Sequence, residues 1–86
     1  MRICEGITKE QYEDAKARGF KADKNYQIEG FAAACINDNT YSELVTALDG
    51  EPDIADMKAW EIDADQWREA ITEAIGYAMY AYEIDQ

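Results

Sequence analysis

Eighty-six residues, 48% of them hydrophobic and ten of them aromatic, suffice for one small core and leave no room for a cleft between domains. A chain this short hides only about 60–65% of its unfolded surface on folding, so its stability should be modest. The net charge of −11 is one-sided: residues 1–36 carry six acids and six bases, while residues 37–86 carry thirteen acids against Lys58 and Arg68 alone. Such a field repels nucleic acid and membranes and attracts a basic protein surface, and it should weaken the fold at low salt.

The absence of histidine removes the commonest general base near neutral pH and the commonest metal ligand. Cys4 and Cys35 are too few for a disulfide framework, and Met1-Arg2-Ile3-Cys4-Glu5 lacks the apolar run of a signal peptide, so the expected compartment is the cytoplasm. No apolar stretch approaches the roughly 20 residues needed to span a bilayer.

Along the chain, Thr8-Lys9-Glu10-Gln11 predicts a capping box, with Ile7 and Tyr12 stapling the start of a first helix that Gly19 ends. Residues 22–36 hold possible starts at Asp23 or Asn25 and an apolar run from Phe31 to Ile36, which suits a buried helix weakened by Gly30; a strand pairing through Asn37-Asp38-Asn39 competes. Thr40-Tyr41-Ser42-Glu43 repeats the box, Tyr41, Leu44, Val45 and Leu48 recur at helical spacing, and Gly50 closes that segment. Pro52 suits a helix's first position, so residues 52–59 should form a short helix anchored by Ile54, Met57 and Trp60.

Asp63-Ala64-Asp65-Gln66, flanked by Ile62 and Trp67, opens the longest helix. Trp67, Ala70, Ile71, Ala74, Ile75, Ala78, Met79 and Tyr82 form its inner stripe, while Glu69, Glu73, Tyr77, Tyr80 and Glu83 fall on an outer acidic, tyrosine-rich side. Residues 7–15 and 62–70 align without gaps; duplication is one reading, and the favoured one is that two helices found the same stapled start independently, because capping chemistry selects the shared positions. The expected architecture is all-α: residues 1–86 as a single acidic helical domain, a compact bundle of four to five short helices with the long C-terminal helix as core.

Chemistry is harder to find. There is no CxxC pair or Gly-rich phosphate loop, the five glycines being placed at helix ends and within the weaker helix. Cys35 reads as a small core hydrophobe and Cys4 as an exposed thiol with only Arg2 near it. Asp49, Glu51, Asp53 and Asp56 suggest calcium, but an EF-hand counted from Asp49 places Ile54 and Trp60 where glycine and glutamate belong. Neither catalysis, a metal nor a cofactor is expected.

What remains is binding. Asp49, Glu51, Asp53, Asp56, Glu61, Asp63, Asp65 and Glu69 are eight acids in 21 residues, interleaved with the anchors Ile54, Met57, Trp60, Ile62 and Trp67. Carboxylates on neighbouring helical turns lie about 5–6 Å apart, close to the roughly 7 Å between successive phosphates on a strand. With Glu73, Tyr77 and Tyr80 they are the candidate partner-binding residues, and a solvated face serving solubility is the plain alternative. Lys16, Arg18, Lys21 and Lys24 form a basic cluster that can meet an acidic patch, including that of a second copy in a homodimer.

In size, lack of histidine and the runs Asp49-Gly50-Glu51-Pro52-Asp53-Ile54-Ala55-Asp56 and Glu61-Ile62-Asp63-Ala64-Asp65, the chain resembles the small acidic anti-defence proteins that phages encode, including anti-CRISPR inhibitors that mimic DNA. That resemblance is one of overall character and transfers no individual residue. It implies a stoichiometric, non-catalytic inhibitor that occupies the nucleic-acid channel of a host protein and binds neither nucleic acid nor membrane itself. A structural or adaptor protein assembling through the Tyr-rich C-terminal helix is the alternative.

Overall fold

The computed structural model describes residues 2–24 and 28–86. A 3-10 turn at Ile3–Glu5 leads into five α-helices: α1 (Lys9–Ala17), α2 (Gly30–Asp38), α3 (Tyr41–Asp49), α4 (Ile54–Trp60) and α5 (Ala64–Ile84). The described residues contain no strand, so the all-α expectation is met and the pairing through Asn37-Asp38-Asn39 is not formed.

The three capping boxes form atom for atom. Thr8 Oγ1 accepts from the Gln11 amide at 3.1 Å while Gln11 Oε1 accepts from the Thr8 amide at 3.0 Å. Thr40 and Glu43 exchange bonds of 3.1 and 2.8 Å, and Asp63 and Gln66 bonds of 2.8 and 2.9 Å. Each box satisfies two amides that the start of a helix leaves without intrahelical partners. The bond from Thr40 also holds the Glu43 carboxyl below its usual pKa. After α1 the chain turns at Gly19, whose φ of 95° suits a residue without a Cβ.

Two boundaries differ from the sequence reading. α2 begins at Gly30, not Asp23; Asn25 lies outside the described residues. Gly30 therefore stands at the helix entrance with φ 63°, where its freedom is used, and not in the interior where it would weaken the helix. α4 begins after Asp53, whose Oδ1 accepts from the amides of Ala55 and Asp56 at 2.8 and 3.1 Å. Pro52 stays outside, because an aspartate cap outcompetes proline's preference for the first turn here.

α5 is the spine, and the 3-10 turn and all four other helices pack against it. Trp67, Ile71, Ile75 and Met79 are each under 2% exposed, and burying a side chain of this size stabilises by about 1.5–3 kcal/mol. Around them sit Ile3, Ile7, Ala15, Cys35, Ile36, Tyr41, Leu44 and Val45. Tyr41 is also tied to α1: its hydroxyl donates to Asp14 Oδ2 at 2.8 Å, the same oxygen that Arg18 Nε reaches at 2.8 Å. Arg18 first, then Tyr41, hold the Asp14 carboxyl below the usual range.

Gly76 stands in the interior of the longest helix, which corrects the reading that all five glycines lie at helix ends or in the weaker helix. It is buried where residues 21–23 cross α5, and the Asp23 amide donates to the Gly76 carbonyl at 2.9 Å. An added Cβ would stand 2.8 Å from the Lys21 carbonyl oxygen and 3.0 Å from Asp23 Cβ. The crossing lies on the outer side of α5, so that helix is covered on more than its predicted stripe. Tyr82, expected on the inner stripe, is half-buried and stacks on Tyr12 with ring centroids 4.6 Å apart.

Candidate functional site

The eight acids of residues 49–69 do not line one concavity. Glu51, Asp53 and Asp56, joined by Glu43 from α3, line a shallow groove between α3 and α4 with Trp67 at its base. Glu69 and Glu73 lie on another side, where Glu29 shares one depression with them and Asp23 another. Asp49 stands apart, 3.9 Å from Arg18 Nη1. Glu61 and Asp63 occupy the exposed turn between α4 and α5, and Asp65 is exposed in the first turn of α5.

Several of these carboxylates already have structural duties. Asp53 and Asp63 cap α4 and α5. Asp56 Oδ2 accepts from the indole Nε1 of Trp67 at 3.3 Å, anchoring α4 to the spine. Arg68 donates to the carbonyls of Leu48 and Gly50 at 3.0 and 3.2 Å, so one of the two bases of the acidic half fastens the α3–α4 connection. On the outer side of α5, burial and then repulsion from Asp23, Glu69 and Glu29 raise the pKa of Glu73.

The apolar anchors divide. Trp67 is buried, and Met57 and Ile62 are half-buried against the core. Ile54 and Trp60 are 68% and 43% exposed, and no residue of α4 is fully buried. The expectation that all five hold the backbone from inside is corrected, because a seven-residue helix touching α5 along one line turns only one of its sides inward. Tyr77 and Tyr80, expected on an exposed face, are both half-buried, and Tyr77 packs against the core.

Beside the acidic groove lies a smaller cavity of about 310 Å³ between α2, α3, α4 and α5. Its floor is apolar, from Cys35, Leu44, Trp67 and Ile71, and its rim carries Phe31, Trp60, Asp38 and Asp56. The Phe31 and Trp60 rings are tilted at 51° with centroids 5.8 Å apart. Phe31, half-buried against the core, and the exposed Asp38 were not among the candidate binding residues. Their signal was present: residues 31, 34, 35 and 38 share a helical face, and a face that ends on aspartate must reach water.

The basic cluster is partly spent internally: Arg18 pairs with Asp14, and Lys16 Nζ lies 5.5 Å from the centre of the Tyr12 ring. Tyr12 in turn donates to Glu83 Oε2 at 2.6 Å, which raises the pKa of its hydroxyl. Of the thiols, Cys4 is exposed and Cys35 buried. Burial, then the negative charge of Asp56 and Asp38, pushes the Cys35 thiol up to about 12. Among the described residues no group of three or more acids or cysteines is placed to hold a metal ion, and no helix is long and apolar enough to cross a membrane. Comparison of the chain with protein-family models, with curated proteins and with solved structures finds no match.

Proposed function

We propose that this chain is a non-catalytic acidic binding protein that inhibits a nucleic-acid-binding protein, in the manner of the anti-CRISPR DNA mimics, by offering carboxylates to a basic groove. The observation that carries the reading is the gathering of four carboxylates around one groove: Glu43 on α3, Asp56 on α4, Asp53 as the cap of α4 and Glu51 in the connection that Arg68 fastens. Carboxylates on a rigid frame keep their spacing without an entropic cost on binding, and displacing counterions from a Lys- and Arg-rich surface favours association as it does for DNA. The alternative, assembly through the Tyr-rich end of α5, has less free surface to use, since Tyr77 is half-buried against the core and Tyr82 stacks on Tyr12.

Immobilised protein incubated with bacterial lysate at low salt tests this. Nucleic-acid-binding proteins should be enriched and should be released by added duplex DNA; enrichment of none, or retention indifferent to DNA, would contradict the reading. The charge control is a combined change of Glu43 to Gln, Asp53 and Asp56 to Asn and Glu51 to Lys, which keeps an acceptor at each helix cap and at the Trp67 indole while neutralising the groove, and it should abolish capture.

A further inference from the structure

We infer that the cavity between α2, α3, α4 and α5 is the anchor point for an arginine or lysine side chain of the partner, so that docking centres on Phe31, Trp60 and Asp38 and not on the densest run of acids. This deepens the function proposed above and rests on its basic partner. Three observations converge on one occupant. The floor carries the apolar Cys35, Leu44, Trp67 and Ile71 and the rim two aromatic rings 5.8 Å apart, which suits the methylene stem of a long side chain with its cationic head near an aromatic ring. Asp38 and Asp56 sit at the mouth, where the head of that side chain would emerge. Trp60 and Ile54 are large apolar residues left in water on a helix with no fully buried residue of its own.

Charge complementarity selects the partner. Asp38 and Asp56 line the cavity, Glu43, Glu51 and Asp53 line the adjoining groove with Asp56, and Lys58 is the single base of α4. Two copies meeting here face to face would bring these carboxylates together, so a second copy of the chain fits poorly, whereas a basic polypeptide fits. Asp56 and Trp67 line both the cavity and the acidic groove, so one bound segment can place a side chain in the cavity and lay further cations along the groove.

The test uses a synthetic helical peptide with a leucine stripe flanked by arginines, and a control with every arginine replaced by neutral citrulline. Binding is followed by calorimetry on the full chain at low and high salt. The arginine peptide should bind one to one, more weakly as salt rises, and the citrulline peptide should bind far less. Trp60→Ala should weaken the arginine peptide at least about tenfold, as loss of a central aromatic anchor does. Ala34→Leu, which fills the cavity from α2, and Asp38→Lys, which reverses charge at an exposed helix end, should do the same, each with the wild-type circular dichroism spectrum confirming the fold.

Equal binding of the two peptides would overturn the inference. Undiminished binding by the folded cavity variants, with loss on changing Glu51, Glu69 and Glu73 to Gln, would overturn the anchor while leaving the acidic-surface reading in place. No binding to wild type would remove both. A wild-type dimer that Trp60→Ala converts to monomer would instead assign the face to a second copy.

Discussion

Gly76 shows how one residue can carry a tertiary contact that its own helix would not choose. In an ordinary helix interior, glycine to alanine stabilises by about 1 kcal/mol. Here the added Cβ meets the backbone of residues 21 and 23, which cannot swing aside as a side-chain end could. Gly76→Ala should therefore destabilise by about 1–3 kcal/mol, read as a lower urea midpoint with unchanged slope. The sequence held no sign of this, because nothing in helical periodicity marks where a distant extended segment will cross.

Two carboxylates at the residue scale give opposite pH dependences. Glu73 has a raised pKa, so its contribution is fully present below the ordinary glutamate value and is lost as pH rises through the raised one. Asp14 has a lowered pKa, so its contribution is present above the ordinary aspartate value and is lost as pH falls through the lowered one. Melting temperature against pH should thus lose part of its gain between neutrality and the ordinary glutamate range in Glu73→Gln, and part of its acid decline in Asp14→Asn.

At the scale of elements, helix starts were legible because capping is local: Thr8, Thr40 and Asp63 each find their partner three residues on, a spacing that the chain carries in its order of residues. Asp63→Ala should cost about 1 kcal/mol, lowering the melting temperature by roughly 4–8 °C in a domain of this size. α4 is less legible. Ile54, Met57 and Trp60 match an inward stripe, yet which residues of a seven-residue helix turn inward depends on where its neighbours stand. Its bond from Trp67 to Asp56 joins positions eleven apart, which no local signal announces. Ile54→Ala should accordingly change stability by less than about 0.5 kcal/mol, whereas Trp67→Ala should cost about 3–5 kcal/mol, a contrast that urea titration resolves.

Over the whole molecule the charge asymmetry is the dominant fact, and the order of amino acids displays all of it. Thirteen acids in residues 37–86 repel one another on a body 38 × 25 × 21 Å across, little more than two screening lengths wide at about 0.1 M salt. The melting temperature should therefore rise as salt is added from low ionic strength. The run of acids from Asp49 to Glu69 does not make one ridge, because consecutive elements turn the chain: Glu51, Asp53 and Asp56 face the α3–α4 groove while Glu69 and Glu73 lie by the crossing at Gly76. The cavity beside Trp60 was hidden for the same reason, being built from four helices.

The most direct measurement is a proton–nitrogen correlation spectrum of labelled protein during titration with the arginine peptide. The indole signals of Trp60 and Trp67 and the amides of Phe31, Asp38 and Asp56 should shift together and saturate at one equivalent. Saturable shifts confined to Glu69, Glu73 and Tyr80, or no saturable shift at all, would contradict the account.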